Sequence, residues 1–342
     1  MHKKPVYHLF IPHLLIALQS WHEDFSFEVE APHLSSLLCR YKKQFNPNIN
    51  SCSHALFYTL GYENEELPSA YYRYQVHSSS ISQNLICADP VYLEVGMNDV
   101  TLSHKITDLT NDEADELIEI LNKHFNEDGL SFIFGDNHCW YLRFLGNETI
   151  QSHDVDSVLL KNIIDKSTQS QQRNWQVIQN ETQMLLHSAN LNAQREKAGL
   201  KPVNSLWFHG AGKAKEISSQ FDVIHSNTNG LSKLQGKTFA KAADCEWQPL
   251  PDQLDSLLEK SQQKNRALLI DQLFMPALEN RLDDFQGEVE SIDKNIIKPL
   301  VKAWQSNKID IIIDACDGNT LMPQKNPFWC FWQKPKKLRE IS

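Results

Sequence analysis

Glycine and proline are sparse in this chain of 342 residues, at 12 and 14. That scarcity excludes collagen-like and low-complexity architectures. No uninterrupted apolar run reaches about 18 residues, so no membrane-spanning helix is expected. Basic charge is also in deficit. Lys and Arg number 33 against 43 Asp and Glu, for a net charge of −10, and the pI lies near 5.8. A binder of nucleic-acid backbones needs the opposite balance, so no nucleic-acid partner is expected. The one basic stretch, Lys334 to Arg339, reads as a solvated C-terminus. The seven cysteines (Cys39, Cys52, Cys87, Cys139, Cys245, Cys316 and Cys330) are odd in number and form no CxxC. This argues against a disulfide framework or a zinc ribbon and for a reduced, cytoplasmic protein. Lys3 and Lys4 precede an apolar run from Val6 to Leu18, in the manner of a signal peptide. His8, Pro12 and His13 interrupt it, and no small-residue cleavage site follows.

What the chain does contain is alternating patterning of two kinds. Tyr7 to Ile16 reads as a buried strand reaching a tight feature at Pro12, and Pro32 to Tyr41 reads as a helix with Leu34, Leu37 and Leu38 on one face. Residues 42–55 read as a polar loop. In the middle, Val91 to Val95 and Val100 to Ser103 alternate around Gly96 to Asp99, a hairpin signal. Thr110 and Glu113 form a capping box, because each side chain can accept an otherwise unpaired N–H. Ala114, Leu117, Ile118, Leu121 and Phe125 then recur at helical spacing, ending at Gly129. Ser131 to Phe134 and Trp140 to Leu145 predict a second strand pair, and Trp175 to Leu185 a further helix.

After Pro202 the pattern changes. Short apolar runs at Ser205 to His209, Phe221 to His225, Ala267 to Asp271 and Ile309 to Asp314 alternate with helical stretches at Pro251 to Lys260 and Glu288 to Trp304, the latter kinked at Pro299. Strands alternating with helices imply a parallel sheet covered on both faces. The expected architecture is α/β, a doubly wound and mostly parallel sheet with a smaller α+β domain inserted. Residues 1–75 and 200–342 form the core domain in this reading, and 76–199 the insertion with a connecting helix. The aromatic run Phe328 to Trp332 reads as a last strand packed on both faces.

Several motifs carry candidate chemistry. Gly210, Gly212 and Lys213 follow a strand, where glycine amides and a lysine could cradle a phosphate, although the spacing is neither a Walker A nor a GxGxxG and also suits a plain tight turn. Asp271 and Asp314 end predicted parallel strands, and the carboxyl edge of such a sheet is where sites form. They could hold a divalent metal, or simply cap the following helices. Cys52, Ser53 and His54 place nucleophiles beside a base, though sequence neighbours seldom have the geometry. His209 and His225 end strands.

Four passages together carry a resemblance: Glu30 to Leu38, Gln183 to Glu196, Pro202 to Gly212, and Glu290 to Leu300. They resemble the RpfE-type regulatory proteins of bacteria. That family is similar in turn to the archaeal-type cofactor-independent phosphoglycerate mutases of the alkaline phosphatase superfamily. The mutase resemblance implies a phosphotransfer fold with a Ser nucleophile and two divalent metals, Mn or Zn, held by Asp and His. Its Leu-Gly-Tyr motif survives as Leu60, Gly61 and Tyr62, and counting back from it reaches Cys52, with Ser53 next. Its Asp-Gly metal motif at the end of the first strand is replaced by Phe10, Ile11, Pro12 and His13. Its later Asp-x-x-x-His and Asp-His motifs correspond to Asp271 through Met275 and to Asp314 and Ala315, both without His.

A scaffold kept without its ligands implies lost chemistry. The expectation is a phosphoglycerate-mutase-like pseudoenzyme with no cofactor, acting in regulation or binding. Its partner would be a protein or a small phosphorylated metabolite. The competing readings are an active metal-dependent phosphomutase or phosphohydrolase, using Cys52 or Ser53 with Asp271, Asp314 and His209 or His225, and a non-catalytic phosphate sensor at Gly210 to Lys213. The strand-end argument further expects Asp271, Asp314 and Lys213 to converge on one edge.

Overall fold

The computed structural model describes the chain except for residues 1–3, 16–17, 64–65, 79–83, 147, 167, 218, 260–263, 326–336 and 342. The expected strand at Phe328 to Trp332 lies outside the described residues. The described strands are, in order, β1 (Val6–Phe10), β2 (Tyr41–Phe45), β3 (Leu85–Val95), β4 (Val100–Lys105), β5 (Leu130–Asp136), β6 (Cys139–Phe144), β7 (Ile150–Gln151), β8 (Gln169–Ser170), β9 (Ser205–His209), β10 (Val223–Ser226), β11 (Glu246–Pro249), β12 (Arg266–Leu269), β13 (Asp310–Asp314) and β14 (Asn319–Pro323). The chain divides into two compact units, 1–63 with 217–342, and 64–216.

The first unit is built on a seven-stranded sheet of order β11-β10-β12-β1-β13-β14-β2. β1 runs parallel to β12 on one side and to β13 on the other. A strand so placed is covered on both faces, which is why nearly every residue of β1 is apolar. Tyr7, Leu9 and Ile11 enter a core with Leu34, Leu37, Phe285, Val289 and Leu300. On the other face His8 stacks on Phe10 at 4.2 Å between ring centroids, and Phe10 meets Phe221 and Phe239 edge-on. The sheet is therefore doubly wound and largely parallel, with β14 and β2 as an antiparallel margin. β2 falls where a loop was expected. Its three middle residues, Lys42, Lys43 and Gln44, are exposed, so no burial pattern marks it. β2 is an edge strand defended by lysine. The helix Cys52–Tyr58 also begins inside that expected loop.

The long C-terminal helix is interrupted by a π turn. An α-helix over Leu282–Ile292 passes through a π turn at Asp293–Ile297 into Lys298–Gln305. Pro299 has no N–H and its ring crowds the carbonyl of Asn295. The wider turn relieves this without ending the helix, and the freed Asn295 carbonyl accepts the Leu254 N–H at 3.3 Å. The C-terminal residues from Lys337 onward differ from the expected solvated tail. Lys337 and Arg339 pair with Glu28 at 2.6 and 3.3 Å, and Leu338 and Ile341 are buried.

The second unit is an antiparallel sheet of order β4-β3-β6-β5, with β9 also paired to β3. The helix Asn111–Phe125 carries the expected capping box, Thr110 accepting the Glu113 N–H at 3.2 Å and Glu113 accepting the Thr110 N–H at 2.7 Å. Its apolar stripe packs with Phe132, Trp140 and Leu142 of the sheet and with Ile178 and Leu186 of the helix Trp175–Ser188. Here one expectation is corrected. β9 does not join the parallel sheet; it pairs antiparallel with residues 87–91 of β3. A five-residue strand buried throughout looks the same in either kind of sheet, so its periodicity could not distinguish them.

Candidate functional site

At the carboxyl edge of the parallel sheet the strand ends deliver Asp271, just past β12, and Asp314, the last residue of β13. Asp271 accepts the Asn227 side-chain amide at 2.8 Å. Asp314 is buried, and its two oxygens accept the Cys316 N–H at 2.8 Å and the Thr320 hydroxyl at 3.0 Å. Burial pushes its pKa up to about 6, against these two hydrogen bonds, and the nearby Asp317 pushes in the same direction as burial. At the end of β1, where the resemblance expects an Asp, stand Phe10 and Ile11, both buried.

Cys52 opens the helix Cys52–Tyr58, and its thiol is hydrogen-bonded with that of Cys316. Burial, and then Cys52, push the Cys316 thiol up. Cys316 itself has a left-handed backbone, φ 59°. The position that the resemblance gives to a nucleophile is thus brought beside the strand end that carries Asp314. The Ser53 hydroxyl accepts from Gln235 at 3.3 Å. His54 does not serve either as a base in this geometry: its Nδ1 lies 3.0 Å from the Oγ of Ser51, the residue that caps the helix.

His225, the histidine nearest in sequence to Asn227, has both ring nitrogens engaged, Nδ1 with the Pro249 carbonyl at 3.2 Å and Nε2 with Arg266 at 2.9 Å. Burial lowers its pKa to about 4, so the ring is neutral. It donates to the carbonyl and accepts from the guanidinium. A pair of divalent Mn or Zn ions needs carboxylate oxygens and imidazole nitrogens free to bind. A buried acid with both oxygens hydrogen-bonded, a second carrying an amide, and a histidine with both nitrogens engaged do not fit the two-metal set that the resemblance implies.

The loop Gly210 to Lys213 belongs to the other unit, because β9 does. The strand-end argument for placing it beside Asp271 and Asp314 therefore falls away. The Gly210 N–H donates to the Ser152 hydroxyl at 3.2 Å and the Gly212 N–H to the Leu67 carbonyl at 3.0 Å. A Cβ on Gly212 would sit 1.8 Å from the Glu66 carbonyl oxygen. These glycines serve a tight turn against residues 66–70, with their amides already committed. Lys213 is exposed.

Beneath that loop lies a charged network that motif reasoning did not find. Arg73 grips Asp89 with two hydrogen bonds, 2.9 and 2.6 Å, and donates to the Trp140 carbonyl at 3.1 Å. His209 Nε2 lies 3.0 Å from the same carboxylate, and its Nδ1 3.7 Å from Asp154. Burial would raise Asp89, but the Arg73 guanidinium and His209 hold it well below the usual carboxylate range. The one available signal was Asp89, set among the apolar residues Leu85 to Leu93 of β3.

The class defined by these observations is an α/β protein with a doubly wound, largely parallel sheet and a second, antiparallel-sheet unit. Among solved structures, the PH0037 protein from Pyrococcus horikoshii shares this fold. It matches with a TM-score of 0.54 at 10% identity, over 94% of this chain and 88% of that one. A cofactor-independent phosphoglycerate mutase from Thermoplasma acidophilum is a more distant neighbour, at TM-score 0.41 and 15% identity, over 95% and 90% of the two chains. No protein-family model and no curated protein sequence matches the chain. The RpfE-type likeness has no counterpart among these matches.

Proposed function

We propose that this chain is a phosphoglycerate-mutase-like protein that has lost metal-dependent phosphotransfer and acts as a regulatory or binding protein. The observation that carries the reading is Asp314. A metal-ligating carboxylate must be ionised and must present a lone pair outward. Asp314 is buried, and both of its oxygens are taken up by Cys316 and Thr320. The thiol at the nucleophile's place is hydrogen-bonded with a second thiol, and the His54 Nδ1 faces the Ser51 hydroxyl. The inserted position of residues 64–216 in the chain fits a scaffold of this kind, with a small phosphorylated metabolite or a protein as partner.

The test is turnover by the purified full chain, with phosphoglycerate and p-nitrophenyl phosphate as substrates and added Mn2+ or Zn2+. The expected result is no metal-dependent rate above the blank, and no change on Ser53→Ala or Cys52→Ser. Equilibrium binding of phosphoglycerate should weaken in Lys213→Ala, the exposed cation of the loop. Metal-dependent turnover that Ser53→Ala or Cys52→Ser abolishes would overturn the reading in favour of an active phosphomutase or phosphohydrolase.

A further inference from the structure

The turn between β5 and β6 brings together three metal-binding side chains that no motif above includes. One ligand atom each from Asp136, His138 and Cys139 lies within 4.8 Å of the others. Asp136 Oδ1 is 3.2 Å from His138 Nδ1 and also accepts the His138 backbone N–H at 3.0 Å. Asp136 and Cys139 face each other across the ladder, one on each side of a two-residue turn. The pairing slips between Phe134 and Asp136, leaving Gly135 as a bulge. A bulge re-aims the residue that follows it. Only glycine fits there, since a Cβ would come within 2.5 Å of the Cys139 carbonyl oxygen and 2.6 Å of the Tyr141 ring. Backbone geometry is thus committed to holding the Asp136 carboxylate over Cys139.

A second histidine packs against the same turn from another element. His77 ends the helix Ser69–His77. Its ring hydrogen-bonds the Gly135 carbonyl, and it feels the charges of both Asp136 and His138. Tyr141 meets the His77 ring edge-on at 5.9 Å and helps fix its plane. Among the described residues, His77 Nε2 and His138 Nε2 are buried and have no hydrogen-bond partner. Two orphaned imidazole nitrogens in one small region call for an explanation.

We infer that Asp136, His138 and Cys139 form a binding site for a divalent transition-metal ion of the zinc class. One nitrogen, one oxygen and one sulfur are a borderline-soft donor set, suited to Zn2+ and Co2+ and poorly suited to Mg2+ or Ca2+. Three protein ligands leave the fourth tetrahedral position to a water or another donor. The site lies within residues 64–216 and does not depend on the reading of the parallel sheet's edge.

The test uses the full-length protein, stripped with a chelator under reducing conditions and titrated with Co2+ alone. The expected result is a single Co2+ per chain, with the strong visible bands of tetrahedral cobalt and a near-ultraviolet thiolate charge-transfer band. Zn2+ should displace it. Cys139→Ser should remove the charge-transfer band, and His138→Ala and Asp136→Asn should each weaken binding by about tenfold or more. Cys245→Ser, in the other unit, should change nothing. His138→Ala at the half-buried turn answers the same question if Cys139→Ser fails to fold. No stoichiometric Co2+ binding by folded protein, a charge-transfer band that survives Cys139→Ser, or unchanged affinity in His138→Ala would each overturn the inference.

Discussion

Asp314 is the residue whose chemistry is most open to measurement. Its carboxyl is raised from 3.8 to about 6 by burial. A raised acid takes stability away as pH rises. Below about pH 4 the folded and unfolded chains both hold the proton and there is no penalty. Between about pH 4 and 6 the unfolded chain ionises first, and above this the folded state carries the full cost, on the order of 3 kcal/mol. Asp314→Asn removes the charge and keeps an acceptor for the Cys316 N–H, while the Thr320 hydroxyl can turn to accept from the new amide. We therefore expect the variant to be more stable than the parent near pH 7.5, by about 1–3 kcal/mol. The gain should vanish near pH 4. Urea unfolding midpoints followed from acid to neutral pH check this. A gain that does not depend on pH would show that the Asp314 carboxyl titrates alike in the folded and unfolded chains, and would overturn this account.

At the scale of elements, the π turn at Asp293–Ile297 does more than accommodate Pro299. It places Asp293, buried, at the start of another helix, Pro32–Leu37. There its carboxylate accepts the Leu34 N–H at 2.7 Å, the His33 N–H at 3.2 Å, and stands 2.8 Å from His33 Nδ1. That helix has no capping side chain of its own. Asp293→Ala should destabilise the protein by about 2 kcal/mol, since it removes a cap and strands two amides. Asp293→Asn should cost less. Equilibrium denaturation of the two variants with an unchanged m-value is the check, and equal losses would argue against the capping role.

The elements also show how far the sequence could be read. The helix Asn111–Phe125 was legible because its burial repeats at helical spacing behind a capping box, and Val91 to Val95 of β3, with β4, β5 and β6, were legible as apolar runs around turn residues, whereas Leu85 to Pro90 of β3, buried throughout, was not read. β2 was not, because an edge strand with exposed lysines has no apolar face to repeat. The sheet that β9 joins was not legible either, since pairing partners are not encoded in a strand that is buried all round. At the site, strand-end placement located Asp271 and Asp314. Their state was hidden, because Asn227 reaches Asp271 from a distant part of the chain, and the turn that brings the Cys316 N–H and the Thr320 hydroxyl back onto Asp314 has no motif to mark it. His77 and the Asp136 to Cys139 turn escaped for the same reason: a helix end and a hairpin meet only in three dimensions.

On the scale of the whole molecule, the division into two units has a direct test. Residues 64–216 contain a complete sheet, and the apolar clusters built on it draw every described member from within that stretch. A unit with its own core can fold by itself. The fragment 64–216 should therefore melt in one cooperative transition and give dispersed NMR spectra. A gradual melt without a baseline would show that its order depends on the rest of the chain.

The place of β1 at the centre of its sheet has a consequence in time. Its neighbours, β12 and β13, are Arg266–Leu269 and Asp310–Asp314, near the opposite end of the chain. On a ribosome β1 emerges well before β12 and β13, and both of its hydrogen-bonding edges stay unpaired until Arg266–Leu269 has been made. Contacts this distant in sequence make closure slow, and an unpaired apolar strand is what aggregation recruits. Residues 64–216 can finish folding while β1 is still waiting. The nascent protein is then a tethered, native-like body with a sticky strand ahead of it, and its yield in a cell depends on how well chaperones cover Val6 to Phe10 during that interval.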